Sequence, residues 1–228
     1  MARTDLTEAA PAAAGGRVHP GRKLTYEEFL EWSDEDTWAE WVDGEVILFV
    51  PASIPHQRLV GFLHSLLGFF IELFDLGEVF TAPTQMRLTA ARSGREPDLL
   101  FVAKAHLDRV RPNRIDGPAD LVVEVISPES VERDRERKFA EYETAGVREY
   151  WLLDPDARRA DFYRLDATGR YQPVPVGAGV FRSEVLPGFW LRLDWLWQQP
   201  PRYLDALAEL GLLQAAQQRH PPAPGDEA

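Results

Sequence analysis

Hydrophobic residues recur along several segments of the chain with the spacing of helices. Between residues 56 and about 74, apolar side chains three and four positions apart predict one long amphipathic helix; they are Leu59, Val60, Leu63, Leu66, Leu67, Phe70, Ile71 and Phe74. A short helix is expected after Thr25, because a threonine followed three residues later by Glu28 matches a capping box. Another is predicted from about Val131 to Ala145, where Gly146 suits a left-handed helix end.

Alternating and continuous apolar runs predict strands elsewhere. Residues 41–48 are expected to form a hairpin, because the pair Asp43 and Gly44 suits a type I′ turn. Further runs predict strands near 78–82, 84–89, 97–103, 121–126 and 147–154, then a hairpin over roughly 160–177 and a last strand over 186–193. The segment between the third and fourth of these strands, rich in Arg, Pro and Asn, is predicted to be a loop. Helices and strands in this order predict an α/β domain.

One acidic residue interrupts the most apolar of these strands. Glu124 lies within the run Leu121-Val122-Val123-Glu124-Val125-Ile126, which otherwise has the composition of a fully buried strand. An ionised, unpaired carboxylate in a dry interior would cost on the order of tens of kcal/mol, so Glu124 must be protonated, paired or bound to a cation. Asp98 stands at the start of another predicted strand. If the two strands are neighbours, both carboxylates can converge on one hard divalent cation.

Charge and composition limit the classes of function. The chain has 228 residues and a formal net charge of −12, which disfavours a general nucleic-acid coat because phosphate binding draws on Lys and Arg. Local basic groups remain, one of them between Arg133 and Lys138. The chain has no cysteine, which excludes disulfides and thiolate metal sites. No signal peptide and no stretch of about 20 apolar residues is recognised, so a cytoplasmic location is expected.

Composition also suggests the domain boundaries. Residues 1–22 are rich in Ala, Gly and Pro and are predicted to be a disordered tail, as are residues 219–228. A single domain is expected over 23–198, followed by a C-terminal helix over 199–218.

Six short segments, in order, give the chain a family resemblance. They are Trp41-Val42-Asp43-Gly44-Glu45, Pro55-His56, Pro97-Asp98, Glu124-Val125-Ile126-Ser127-Pro128, the segment from Asp134 to Lys138, and Gly146-Val147-Arg148-Glu149-Tyr150-Trp151-Leu152-Leu153-Asp154-Pro155. Together they resemble the Uma-two family of restriction endonucleases, within the PD-(D/E)XK nuclease superfamily. The resemblance covers about residues 24–195. It implies a restriction-endonuclease-like α+β core, with a mixed central sheet flanked by helices, an added N-terminal hairpin, and C-terminal strands and a helix.

The resemblance also implies a chemistry, which is the Mg²⁺- or Mn²⁺-dependent hydrolysis of phosphodiester bonds in nucleic acid. DNA is the expected substrate, and the sequence does not distinguish it from RNA. Asp98 and Glu124 match the metal-binding acids, with the backbone carbonyl of Val125 as a third ligand. The lysine expected two positions after the glutamate is replaced by Ile126. Lys138 matches the position to which the family's lysine has moved, where an amine can orient water or stabilise charge on the phosphate. Its alternative role is an exposed partner of Asp134.

Further residues are candidates of lower rank. Glu40 matches an acidic position of the family near the same metal. The alternative is that Glu40 is an ordinary surface glutamate. His56, Gln57 and Arg133 are candidate substrate contacts, with His56 at the start of the long helix, where backbone N–H groups favour anions. A local helix cap is the simpler role for a histidine there.

Two other functions stay open from the sequence. The protein could have a nuclease-like fold that no longer cleaves nucleic acid and acts as a nucleic-acid-binding or protein-interaction module. The negative net charge favours this alternative. It could also hydrolyse small phosphoesters. A homodimer is expected, because the apolar segment from Leu186 to Leu213 offers a contact surface and two sites would suit a two-stranded substrate.

Overall fold

The computed structural model describes residues 19–34, 37–48, 52–127 and 133–219. The chain divides into two compact units, Met1–Pro51 and Ala52–Ala228. The predicted disordered tails fall largely outside the described residues, and the predicted domain boundaries at 23 and 198 stay a prediction.

The first unit contains one helix and one hairpin. Helix α1 (Tyr26–Trp32) opens with the predicted capping box, in which Glu28 N donates to Thr25 Oγ1 at 3.1 Å and Thr25 N donates to Glu28 Oε2 at 2.7 Å. Strands β1 (Ala39–Val42) and β2 (Glu45–Leu48) pair antiparallel. Asp43 and Gly44 both have positive φ, 47° and 89°, as a type I′ turn requires. The helix and the hairpin predicted here are both confirmed.

The second unit begins with the long helix α2 (Ile54–Phe74), which confirms the helix predicted over 56–74. Its apolar stripe packs into the larger hydrophobic core, next to strands of the central sheet. Among the described residues α2 is also the one helix long and apolar enough to cross a membrane, contrary to the expectation that the chain has no such stretch. Length and composition are weak evidence for insertion, and half of that apolar window is buried inside the protein, as in a core helix.

The central sheet of this unit has six strands and is mixed. In spatial order they are β12 (Tyr171–Pro173), β11 (Arg159–Leu165), β10 (Glu149–Asp154), β9 (Leu121–Val125), β6 (Leu99–Ala103) and β3 (Gly77–Thr81). Strands β9 and β10 run parallel, and the other neighbours run antiparallel. Alternate residues of β9 therefore enter two different cores: Val123 joins the core that contains α2, and Val122 joins a second core that contains Tyr142 and Tyr150.

The segment between β6 and β9, predicted to be a loop, instead contains regular structure. A 3₁₀ helix covers Lys104–Arg109, and β7 (Val110–Arg111) and β8 (Arg114–Asp116) form a small hairpin. Strand β8 pairs parallel with β4 (Met86–Leu88), and β4 pairs antiparallel with β5 (Ser93–Arg95). Strands of two or three residues are too short for an alternating pattern to show, which is why the sequence did not reveal them.

The helical segment after β9 changes type along its length. Arg133–Lys138 forms a π-helix and continues as α3 (Phe139–Ala145), which ends at Gly146 with φ 88°. The predicted helix and its glycine end are confirmed, while its predicted start at Val131 lies outside the described residues. A π-helical turn is uncommon and occurs often at functional sites.

The C-terminal part adds a hairpin and three helices to the larger core. Strands β13 (Val180–Arg182) and β14 (Trp190–Arg192) are followed by α4 (Leu193–Leu196), α5 (Tyr203–Glu209) and α6 (Leu212–Arg219). The single helix predicted over 199–218 is wrong, because Gly211, with φ 71°, separates two helices. The predicted mixed sheet flanked by helices is confirmed.

Candidate functional site

Asp98 lies next to the strand pair that contains Glu124. Leu99 of β6 pairs with Val123 of β9; Asp98 directly precedes Leu99, and Glu124 directly follows Val123. The two acids that the sequence selected therefore lie near the same end of this strand pair, and their joint binding of one cation stays a prediction.

Asp98 is held by one donor on each carboxylate oxygen. Its Oδ2 accepts a hydrogen bond from the backbone N–H of Val125 at 2.7 Å, and its Oδ1 lies 2.9 Å from Nε2 of His56. His56 is buried near the start of α2, where its own backbone N–H donates to Ser53 Oγ at 3.4 Å. These contacts fix the orientation of the Asp98 carboxylate while about a fifth of its side chain stays exposed.

Glu124 is paired, which is one of the three solutions expected for an acid in an apolar strand. Its Oε1 accepts from Lys138 Nζ at 2.9 Å and from the hydroxyl of Tyr142 at 2.6 Å. The side chains of Glu124 and Lys138 are only 4% and 3% exposed. Lys138 is thus a buried partner of the glutamate, and the alternative of an exposed surface lysine is wrong.

The π-helix brings a third charged group to this pair. Asp134 is buried, and its Oδ1 lies 3.6 Å from Lys138 Nζ. Its backbone carbonyl accepts from the hydroxyl of Tyr150 at 3.0 Å. Burial, and then the charges of Glu124 and Asp134, raise the pKa of Tyr150 well above its ordinary value. The Tyr150 phenol therefore stays protonated and acts as a donor.

The other sequence candidates have different positions. Glu40 is a buried residue of β1 in the first unit, and its part in the site stays a prediction. Gln57 is exposed on α2. Arg133 lies at the start of the π-helix, with its Nε 3.6 Å from Asp134 Oδ1. The contact of Val125 with the site is through its backbone N–H, and the proposed role of its carbonyl stays untested.

The sequence did not assign Tyr142 and Asp134 to the site. The signal that could have found them is their spacing, because Asp134, Lys138 and Tyr142 follow one another at intervals of four residues, as do side chains on one helix face.

The donor set fits a hard divalent cation with few protein ligands. The described residues contain no group of three or more His, Cys, Asp or Glu placed to hold a metal. Asp98 and Glu124 supply two carboxylates near one end of the β6–β9 pair, and Mg²⁺ in proteins is commonly bound by one or two carboxylates and several waters. These two side chains are the residues that could hold such an ion here.

Matches to known proteins include a family model, a relative and a solved structure. A family model, Uma2, described as "Putative restriction endonuclease", matches residues 26–194. The uncharacterized protein sll1609 of Synechocystis sp. (strain ATCC 27184 / PCC 6803 / Kazusa) is 28% identical over 144 residues, which are 62% of this chain and 80% of that protein. The crystal structure of "a putative nuclease belonging to DUF820" from Anabaena variabilis ATCC 29413 superposes with a TM-score of 0.64 at 17% identity, covering 76% of this chain and 97% of that one. At 17% identity, the match to the solved structure is evidence for the fold alone.

Proposed function

Because the chain belongs to the Uma2 family, we propose that it is a nuclease that hydrolyses phosphodiester bonds of DNA with the help of Mg²⁺ or Mn²⁺. The observation that carries the proposal is the buried contact of 2.9 Å between Lys138 Nζ and Glu124 Oε1, next to Asp98, which accepts a hydrogen bond from the backbone N–H of Val125. The chain lacks a lysine two positions after the glutamate, and Lys138 delivers an amine to the same carboxylate from a neighbouring helix.

Each residue of this group has a distinct part in the proposed reaction. Asp98 and Glu124 would hold the cation, which when bound lowers the pKa of a coordinated water and offsets negative charge on the phosphate. Lys138 would orient the attacking water or stabilise charge that develops on the phosphate oxygens, since a preorganised cation in a dry site acts strongly on such charge. Apolar strand residues beside Glu124 exclude bulk water from one side of the group.

The proposal is tested by Lys138→Ala, with cleavage of plasmid DNA measured in Mg²⁺ and in Mn²⁺. We expect the rate to fall about 100- to 1,000-fold, the usual effect of losing one preorganised electrostatic contact. The metal-free variant should also be less stable, because removing one partner of a buried pair leaves a charge uncompensated. Arg135→Ala is the matched control, because Arg135 lies in the same π-helix but pairs with Asp161, at 2.9 Å, instead of Glu124.

Three outcomes would contradict parts of the proposal. Full activity in Lys138→Ala would show that this lysine is not the migrated one. Cleavage of RNA alone would contradict the choice of DNA. Wild-type protein that binds Mn²⁺ but cuts neither nucleic acid would favour the inert binding module, which the net charge of −12 also supports.

We also propose that two copies assemble and act in the cytoplasm on one DNA duplex. Most of the apolar segment expected to form the contact is buried in the larger core, including Leu186, Leu191 and Trp195. Large apolar side chains that remain exposed on the second unit are Ile54, Phe74, Tyr203 and Leu204. Sedimentation at roughly tens of micromolar, permissive for an interface of standard size, should give a dimer that Leu204→Glu weakens. A wild-type monomer there would contradict the assembly.

A further inference from the structure

Tyr142 and Lys138 donate to the same oxygen of Glu124 from one side of the helical segment. The Tyr142 hydroxyl lies 2.6 Å from Oε1, and the lysine amine lies 2.9 Å from it. A separation of 2.6 Å is typical of a hydroxyl donating to an ionised carboxylate. We propose, building on the proposed function, that Tyr142 is a positioning residue that keeps the Glu124 carboxylate aimed at the cation.

The surroundings of Tyr142 make its hydroxyl a fixed donor. The side chain is fully buried, and its ring meets that of Tyr150 edge to face with centroids 5.2 Å apart. Tyr150 is itself held by its hydrogen bond to the backbone of Asp134. A tyrosine has two side-chain torsions, and close packing leaves them little freedom. The position of its oxygen is therefore set by the aromatic cluster.

Lys138 differs in this respect, since its amine is carried on a flexible four-carbon stem. Besides Glu124, the amine has Asp134 Oδ1 as a neighbour at 3.6 Å. When the amine turns toward water or phosphate during the proposed reaction, Oε1 of Glu124 keeps the Tyr142 donor. Tyr142 thus holds the metal ligand in place, and Lys138 acts on the substrate.

Tyr142→Phe tests this role, because it removes one hydroxyl and leaves the ring in place. Tyr171→Phe is the matched control. Tyr171 is buried in the same cluster, 6.1 Å from the Tyr150 ring, and its hydroxyl donates to the carbonyl of Val147 at 2.9 Å. Both variants lose one hydrogen bond of a buried hydroxyl, but only Tyr142→Phe changes a contact of Glu124.

The readout is Mn²⁺ affinity of the full chain by titration calorimetry, with melting temperature recorded for both variants. We expect Tyr142→Phe to bind Mn²⁺ about 10- to 100-fold more weakly, the usual effect of removing a group that orients a metal ligand. Tyr171→Phe should bind Mn²⁺ like the wild type while its melting temperature also falls. Cleavage by Tyr142→Phe should recover at saturating Mn²⁺, whereas that of Lys138→Ala should not.

The inference is overturned if Tyr142→Phe binds Mn²⁺ as tightly as the wild type, if Tyr171→Phe weakens binding equally, or if the wild type binds no Mn²⁺. The proposed function can fail separately. If the wild type binds Mn²⁺ and Tyr142→Phe alone weakens it, but no nucleic acid is cut, the nuclease proposal is wrong and the positioning role stands.

Discussion

At the scale of the residue, two aspartates that directly precede strands of the central sheet each have a histidine partner. Asp98 Oδ1 lies 2.9 Å from His56 Nε2, and Asp120 Oδ2 lies 2.9 Å from His106 Nδ1. Asp120 directly precedes β9, whereas Glu124 is near the end of that strand, so the pairs occupy opposite ends of the sheet. Only the His56 pair adjoins the candidate metal ligands, where a histidine can fix the orientation of a carboxylate.

We therefore expect His56→Ala to weaken Mn²⁺ binding about tenfold or more, because Asp98 loses one of its two donors and can rotate. Titration calorimetry measures the change. His106→Ala is the control, since it breaks the same kind of pair away from the site and should leave Mn²⁺ affinity unchanged. If both substitutions weakened Mn²⁺ binding equally, His56 would affect the affinity only through the stability of the fold.

At the scale of the element, two glycines show where backbone conformation decides stability. Gly146 ends α3 with φ 88°, and Gly61 lies inside α2 with ordinary helical φ. An added Cβ would meet no atom within 4 Å at either position. The two sites thus differ in backbone conformation and not in available space.

Alanine at these positions should change the free energy of unfolding in opposite directions. Gly146→Ala is expected to lower it by about 1–2 kcal/mol, the cost of a left-handed conformation for a residue with a Cβ. Gly61→Ala is expected to raise it by about 0.5–1 kcal/mol, because alanine has the higher helix propensity. Urea unfolding measures both. A loss of stability in Gly61→Ala would contradict the comparison.

At the scale of the whole molecule, the proposed cation and the net charge would act in opposite directions on the stability of the folded state. A charge of −12 makes the compact state repel itself, and a bound divalent ion offsets part of the negative charge at one point. A ligand that binds only the native state stabilises it by RT ln(1 + [L]/Kd), which is about 2.7 kcal/mol at a hundredfold excess over Kd.

Thermal melts with and without millimolar Mg²⁺ or Mn²⁺ should therefore show a metal-dependent rise in melting temperature. Asp98→Asn should abolish the rise, because the amide removes one carboxylate ligand at nearly unchanged volume. A rise of the same size in Asp98→Asn would place the binding ions elsewhere on the acidic surface.

The sequence alone determined those features that depend on neighbours along the chain. The capping box at Thr25, the turn at Asp43 and Gly44, the apolar stripe of α2 and the left-handed end at Gly146 all follow from local spacing and backbone preference. The sequence also selected Asp98 and Glu124, because an acid in or beside an apolar strand requires a partner.

Tertiary structure decided what these acids contact. The pairing of β6 with β9 places Asp98 and Glu124 near the same end of these two strands, and the apolar pattern of a strand does not fix which strands are its neighbours. Packing of the π-helix and α3 against the sheet delivers Lys138 and Tyr142 to one carboxylate oxygen. Periodicity reports only which face of an element is apolar, whereas the partner of a buried polar atom depends on segments far apart in the chain.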